Sequence, residues 1–177
     1  MPEKLNPKRL RVAEEKRDRD KRSSFRAAEL EQLFQHTIWT GCSSETRRNH
    51  PGDLVIRDGL YWIPILAAYT GARREELAAL TVNDIQDEVG IDFIDLAENV
   101  NRGLKNFSSV RRIPVHHRLI ELGFLNHVKR IRKRGGDLFP ELRPIGYSKD
   151  DKSKKYGDRI HYAWSEALKK GHLEKLP

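Results

Sequence analysis

Residues 69–84 read YTGARREELAALTVND and place a cluster of charged residues between two apolar segments. The segment before the charges, residues 60–71, is apolar on all sides, which predicts a buried helix. The segment from residue 72 to residue 85 predicts a second helix with one apolar face. Arg73 and Arg74 stand at the junction, so the first question is what two arginines do beside the core of this chain.

The composition favours a negatively charged partner. Of 177 residues, 34 are Lys or Arg and 26 are Asp or Glu, which gives a formal charge of +8. Nucleic acid is the commonest partner of so basic a protein. The alternative is a protein-interaction domain whose charge only keeps the chain in solution.

Several classes of protein are excluded by what the sequence lacks. No run approaches the roughly 18 apolar residues that a membrane helix needs, and the first 20 residues lack the apolar stretch of a signal peptide. Cys42 is the only cysteine, so the chain has no internal disulfide and no cysteine-rich zinc site. These features predict a cytoplasmic location and no contact with a membrane.

The charges are unevenly distributed along the chain. Residues 75–98 contain eight acidic residues and no Lys or Arg, whereas residues 102–118 contain five basic residues and no acid. A second basic run, KRIRKR, occupies residues 129–134. This pattern predicts a surface with an acidic part and a strongly basic part, and the basic part is suited to a polyanion.

The order of predicted elements indicates an α+β fold that is mainly α. Residues 1–23 are polar and charged and predict a linker, and residues 24–177 predict the folded domain. Helices are predicted at both ends of that domain, with a small sheet between them. The predicted strands are the segments 90–96, 102–109 and 110–116. A helix after them is interrupted near Gly123.

Arg73 opens the second predicted helix, where backbone N–H groups are free and point outward. That setting suits a phosphate oxygen, and a planar guanidinium can hold a phosphate with two hydrogen bonds. The alternative is an ordinary surface arginine paired with a nearby glutamate.

Two segments together resemble the catalytic domain of the tyrosine recombinase and phage integrase family. The first is similar to the family's box T-G-x-R-x-x-E-L-x-x-L, and it is carried by Thr70, Gly71, Arg73, Glu76, Leu77 and Leu80. The second, LKNFSSVRRIPVH, is similar to the family's β2–β3 hairpin, with Lys105 in the lysine position. Arg112, Ile113 and Pro114 close that hairpin. The resemblance extends over residues 24–171.

The resemblance implies a helical recombinase core with a three-stranded antiparallel sheet. It implies that a tyrosine attacks a DNA phosphate and forms a 3′-phosphotyrosine, with no metal and no other cofactor. Arg73 would hold a non-bridging oxygen, Lys105 would protonate the leaving 5′-oxygen, and Glu76 would fix the Arg73 side chain. Further contacts with double-stranded DNA are expected from Arg74, Arg102, Arg111 and Arg112. The parent protein would be bacterial or phage-derived and would form a tetramer on DNA.

The sequence also departs from the family pattern. The family places an H-x-x-R box and the nucleophilic tyrosine after the last helix predicted here, and neither is found there. His127 and Arg130 do spell H-x-x-R, but they precede that helix and are expected at the surface. We therefore predict that the chain is the front part of a recombinase catalytic domain and is inactive by itself. The alternative is a non-catalytic, basic module that binds duplex DNA.

Overall fold

The computed structural model describes residues 25–103, 109–148, 151 and 154–170. Seven α-helices and a small sheet form this part of the chain. The helices are α1 (Ala27–Phe34), α2 (Thr37–Thr40), α3 (Gly59–Thr70), α4 (Arg74–Ala78), α5 (His117–Glu121), α6 (Phe124–Arg132) and α7 (Tyr156–Lys170). The predicted linker at residues 1–23 and the predicted catalytic Lys105 lie outside the described residues.

The sheet has three antiparallel strands between α4 and α5. They are β1 (Ile85–Glu88), β2 (Ile91–Leu96) and β3 (Arg111–Pro114), in the spatial order β1-β2-β3. The structure therefore confirms an α+β fold with a small three-stranded antiparallel sheet. It also confirms the strands predicted at 90–96 and 110–116.

One of the three predicted strands was wrong: the sheet contains β1 in place of the segment 102–109. Residues 85–88 form β1, although the end of the predicted helix reached residue 85. A two-residue turn at Val89 and Gly90 joins β1 to β2, and both residues have positive φ angles, 53° and 77°. Such a turn matches the twist of two antiparallel strands. The described residues of the segment 102–109 are not in a strand.

The core is built around α3, which is buried or half-buried except in its last turn, where Ala68 and Tyr69 are exposed. Trp62 and Leu66 are fully buried, and α3 ends at Gly71 in the left-handed conformation, with φ of 63°, as the sequence predicts. Leu77 and Leu80 are also fully buried and bring the next segment against α3. The junction that carries Arg73 is therefore fixed to the core on both sides.

The predicted helix at residues 72–85 is much shorter in the structure. After α4 the chain leaves the helix at Ala79, and a single 3-10 turn at Val82–Asp84 precedes β1. The carbonyl of Leu80 accepts a hydrogen bond of 2.8 Å from the N–H of Leu138. This contact with a distant segment replaces the helical hydrogen bonds that a sequence pattern assumes.

No helix among the described residues has the length and apolar character required to cross a membrane.

Candidate functional site

Arg73 immediately precedes α4 and is held by a glutamate of that helix. One oxygen of Glu76, Oε2, accepts the backbone N–H of Arg73 at 2.8 Å. The other oxygen, Oε1, accepts from Nη1 of the Arg73 side chain at 3.1 Å. The predicted contact between these residues is therefore present. The Arg73 side chain is nevertheless 75% exposed, so most of its guanidinium faces solvent.

A second arginine reaches the same carboxylate from the sheet. Nη2 of Arg111, in β3, donates to Oε2 of Glu76 at 2.8 Å. Nη1 of Arg111 donates to the carbonyl of Ser109 at 3.0 Å, and the side chain is 34% exposed. Glu76 itself is only 7% exposed. We call these three residues, Arg73, Glu76 and Arg111, the Glu76 cluster.

The charges of the Glu76 cluster do not cancel. Burial raises the pKa of Glu76, but hydrogen bonds from Arg111 and the Arg73 backbone, with the charges of both arginines, lower it further than burial raises it. The pKa therefore lies below its ordinary value, and the carboxylate is ionised at neutral pH. Two guanidinium groups and one carboxylate leave the cluster with a net charge of +1.

Arg102 is buried and contacts the backbone of Glu76 from the interior of the protein. It is 4% exposed, and its Nη1 donates to the backbone carbonyl of Glu76 at 2.9 Å. Its Nε donates to the carbonyl of Ala97 at 3.0 Å, and Asp84 lies 3.9 Å from Nη2. Burial lowers the pKa of Arg102, while Asp84 acts in the opposite direction. This burial and the use of its donors inside the protein argue against the predicted contact of Arg102 with DNA.

Arg74 is exposed but points to a different neighbour. Its Nε lies beside Gly157, near the start of α7. The two are so close that a methyl group added to Gly157 would be 3.0 Å from that nitrogen. Arg74 also lines an apolar groove together with Phe25 and Trp164. Among the described residues it makes no hydrogen bond to the Glu76 cluster. Its predicted contact with DNA stays a prediction, at a separate place on the molecule.

Glu75, one of the charged residues at this junction, has a structural role. Its two oxygens accept the backbone N–H groups of Tyr156 at 3.0 Å and of Gly157 at 2.7 Å. These are the first two residues of α7, whose N–H groups have no partner within the helix. Glu75 therefore caps a helix that lies about 80 residues further along the chain, while Glu76 organises the arginines.

Arg112 follows Arg111 in β3 and points to the opposite face of the sheet, because side chains alternate along a strand. Its Nη1 lies 2.9 Å from Oε2 of Glu88, and its guanidinium covers the ring of Phe93 at 4.9 Å. Arg112 remains exposed, so its predicted contact with DNA stays a prediction. It does not belong to the Glu76 cluster.

His127 is buried, so its interpretation as a surface residue was wrong. It is 6% exposed, its ring lies against Trp62 and Phe139, and its Nε2 is 3.4 Å from the carbonyl of Leu138. Burial lowers the pKa of His127. The sequence carried the signal, since Phe124, His127, Val128 and Ile131 are spaced as one buried face of α6. None of its contacts belongs to the Glu76 cluster.

Two of the four arginines predicted to bind DNA thus acquire a specific place beside Arg73. Arg111 shares the carboxylate, and Arg102 holds the backbone beneath it. Sequence reasoning treated both as generic contacts and missed these roles. The described residues contain no group of three or more His, Cys, Asp or Glu side chains that could hold a metal ion.

Comparison with known proteins adds no family to this description. A scan against protein-family models, a search of curated proteins and a search of solved structures each return no match.

Proposed function

We propose that this chain is part of the catalytic domain of a tyrosine recombinase, which cleaves and rejoins double-stranded DNA through a 3′-phosphotyrosine. The observation that carries the proposal is the arrangement of Arg73 on Glu76. A buried, ionised carboxylate fixes one edge of the guanidinium, and the remaining donors of an exposed side chain face solvent. The sequence resemblance described above supplies the reaction.

The chemistry of the proposal requires a fixed cation at the phosphate. A phosphate under nucleophilic attack gathers negative charge, and without a metal ion an arginine has to stabilise that charge. Nε and Nη2 of Arg73 have no partner among the described residues, so both are free to donate to phosphate oxygens. Lys105 as the general acid and a tyrosine as the nucleophile stay predictions, as does a tetramer of the parent protein on DNA.

A second candidate function is a non-catalytic module that grips duplex DNA. The observation that favours it lies in the last turn of α6, where Lys129, Arg130 and Arg132 are exposed. In that case binding would depend on the summed positive charge, and Arg73 would have no special importance.

These two functions can be distinguished by measuring how tightly two variants, each with a single substitution, bind duplex DNA. Arg118 is the matched control for Arg73, because it also pairs with a glutamate three residues later, Glu121, but that carboxylate is exposed. The recombinase proposal expects Arg73→Ala to weaken binding by roughly tenfold or more, as for a lost hydrogen bond to a charged group. It expects a much smaller effect from Arg118→Ala. Equal effects would favour the non-catalytic module and contradict the proposal.

A further inference from the structure

We propose that Arg73 and Arg111 hold a single phosphate of the DNA backbone between them, with Glu76 as their common support. This inference rests on the proposed function and adds a second residue to the phosphate site. It assigns to Arg111, on the sheet, a contact with the same phosphate group that Arg73 binds.

The geometry brings both guanidinium groups to one carboxylate. Each bonds to a different oxygen of the same carboxylate, Arg73 to Oε1 at 3.1 Å and Arg111 to Oε2 at 2.8 Å. Their mutual repulsion is offset by the negative charge between them. Arg73 keeps Nε and Nη2, and Arg111 keeps Nε, without a partner among the described residues. Three donors from two side chains are therefore available to one anion.

The charge of the site selects the class of ligand. Two arginines and one carboxylate leave a charge of +1, which one phosphodiester group neutralises because it carries a single negative charge. A terminal phosphate monoester carries about −1.5 to −2 at neutral pH and would leave an excess of negative charge. The site is therefore matched to an internal phosphate of a DNA strand.

The carboxylate that supports the site is buried, and its residue is hydrogen-bonded to the protein interior. Glu76 is buried, and its backbone carbonyl is bonded to the buried Arg102 at 2.9 Å. The Glu76 side chain joins α4 to β3 through its bond to Arg111. It therefore holds both arginines at one place, although they come from different parts of the chain. Such preorganisation lowers the cost of ordering the side chains when the phosphate binds.

The experiment is a double-mutant cycle on duplex-DNA affinity, measured across a series of salt concentrations. The variants are Arg73→Ala, Arg111→Ala and the double substitution, with Arg118→Ala as the control, because Arg118 is an exposed arginine that pairs with a glutamate outside the Glu76 cluster. The logarithm of the binding constant falls with the logarithm of salt by about 0.9 for each phosphate neutralised. If both arginines share one phosphate, the double substitution lowers this slope by about 0.9, and its loss of affinity is less than the product of the single losses. A slope lowered by about 1.8 with independent losses would overturn the inference.

A lysine series keeps the test decisive if an alanine variant does not fold, which circular dichroism would reveal. Arg73→Lys and Arg111→Lys retain charge but lose the planar fork. The shared site again expects the combined loss to be smaller than the product of the single losses, and independence would overturn it. The proposed function fails separately if Arg73→Ala leaves DNA affinity unchanged. If Arg73→Ala weakens binding but Arg111→Ala does not, only this inference fails.

Discussion

Arg111 donates a hydrogen bond of 2.8 Å to Glu76 although 35 residues separate the two in the sequence. This contact joins the last strand of the sheet to the helix that Arg73 opens. Because Glu76 is buried and also holds Arg73, the position of one exposed cation is determined by the packing of two elements.

The ionised form of Glu76 should stabilise the fold. We expect Glu76→Gln to lower the free energy of unfolding at pH 7 by about 1–3 kcal/mol, the size of hydrogen bonds to a charged group. Chemical denaturation of both proteins at a series of pH values measures this difference.

The same comparison has a predicted dependence on pH. The pKa of Glu76 is lowered in the folded state, so its contribution is complete above its ordinary value of 4.5 and is lost as the pH falls through the lower folded value. The advantage of the wild type over Glu76→Gln should therefore be constant near neutral pH and shrink in acid below pH 4.5. An advantage that grew in acid would contradict the assignment.

Arg102 should act on stability and should not be a direct DNA contact. We expect Arg102→Met to destabilise the fold by about 2–4 kcal/mol, because it leaves the buried carbonyl of Glu76 and the half-buried carbonyl of Ala97 without the donors of Arg102. Arg112→Met, at an exposed position on the sheet, is the control and should cost less than about 1 kcal/mol. Thermal unfolding of the two variants provides the measurement, and equal losses would be inconsistent with a buried structural role for Arg102.

The fold could be predicted from the sequence where local patterns dominate. The apolar run that forms α3, its end at Gly71 and the break at Gly123 all follow from local rules. The end of α4 could not be predicted in this way, since Leu80 pairs its carbonyl with Leu138, far along the chain. The strand β1 was missed because the predicted helix was extended to Ile85, where β1 begins, although its partner β2 follows directly and Gly90 offered a turn signal.

The site could be predicted only in part. Arg73 immediately precedes α4 and Glu76 follows three residues later, a spacing that brings the two together at the start of a helix, and that contact is present. The burial of Arg102 and the reach of Arg111 to Glu76 depend on how the sheet packs against α4, which no local pattern specifies. For the same reason, Glu75 gave no sign in the sequence that it would cap α7.

Removal of the Glu75 carboxylate should weaken the start of α7. We expect Glu75→Ala to lower the free energy of unfolding by about 1–2 kcal/mol, because two N–H groups of α7 lose their acceptor. Glu75→Gln keeps one acceptor oxygen and should lie between the wild type and Glu75→Ala. Denaturant unfolding of the three proteins tests this order, and a Glu75→Ala variant as stable as the wild type would refute the capping role.

The turn between β1 and β2 should be open to stabilisation. Val89 is 96% exposed and has a φ of 53°, a conformation that is costly for a β-branched residue. Val89→Asn should raise the free energy of unfolding by about 1 kcal/mol, since asparagine is favoured in such turns. Val100→Asn is the control. Val100 is also exposed, at 75%, but its φ is not positive, so this substitution should change stability little. The same gain from both would show that the turn conformation is not its cause.

If Glu76 positions Arg73 and Arg111 for a phosphate, its removal should weaken DNA binding even though it makes the protein more positive. Glu76→Gln and Glu88→Gln each raise the formal charge by one, and each carboxylate pairs with an arginine of β3. Glu76 is buried and holds Arg73 in place, whereas the Glu88 side chain is 65% exposed. The measurement is the duplex-DNA affinity of both variants at one salt concentration. We expect Glu88→Gln to bind as tightly as the wild type or more tightly, and Glu76→Gln to bind more weakly despite its added positive charge. Tighter binding by both variants would mean that only net charge matters, and would contradict the claim that Glu76 positions the arginines for a phosphate.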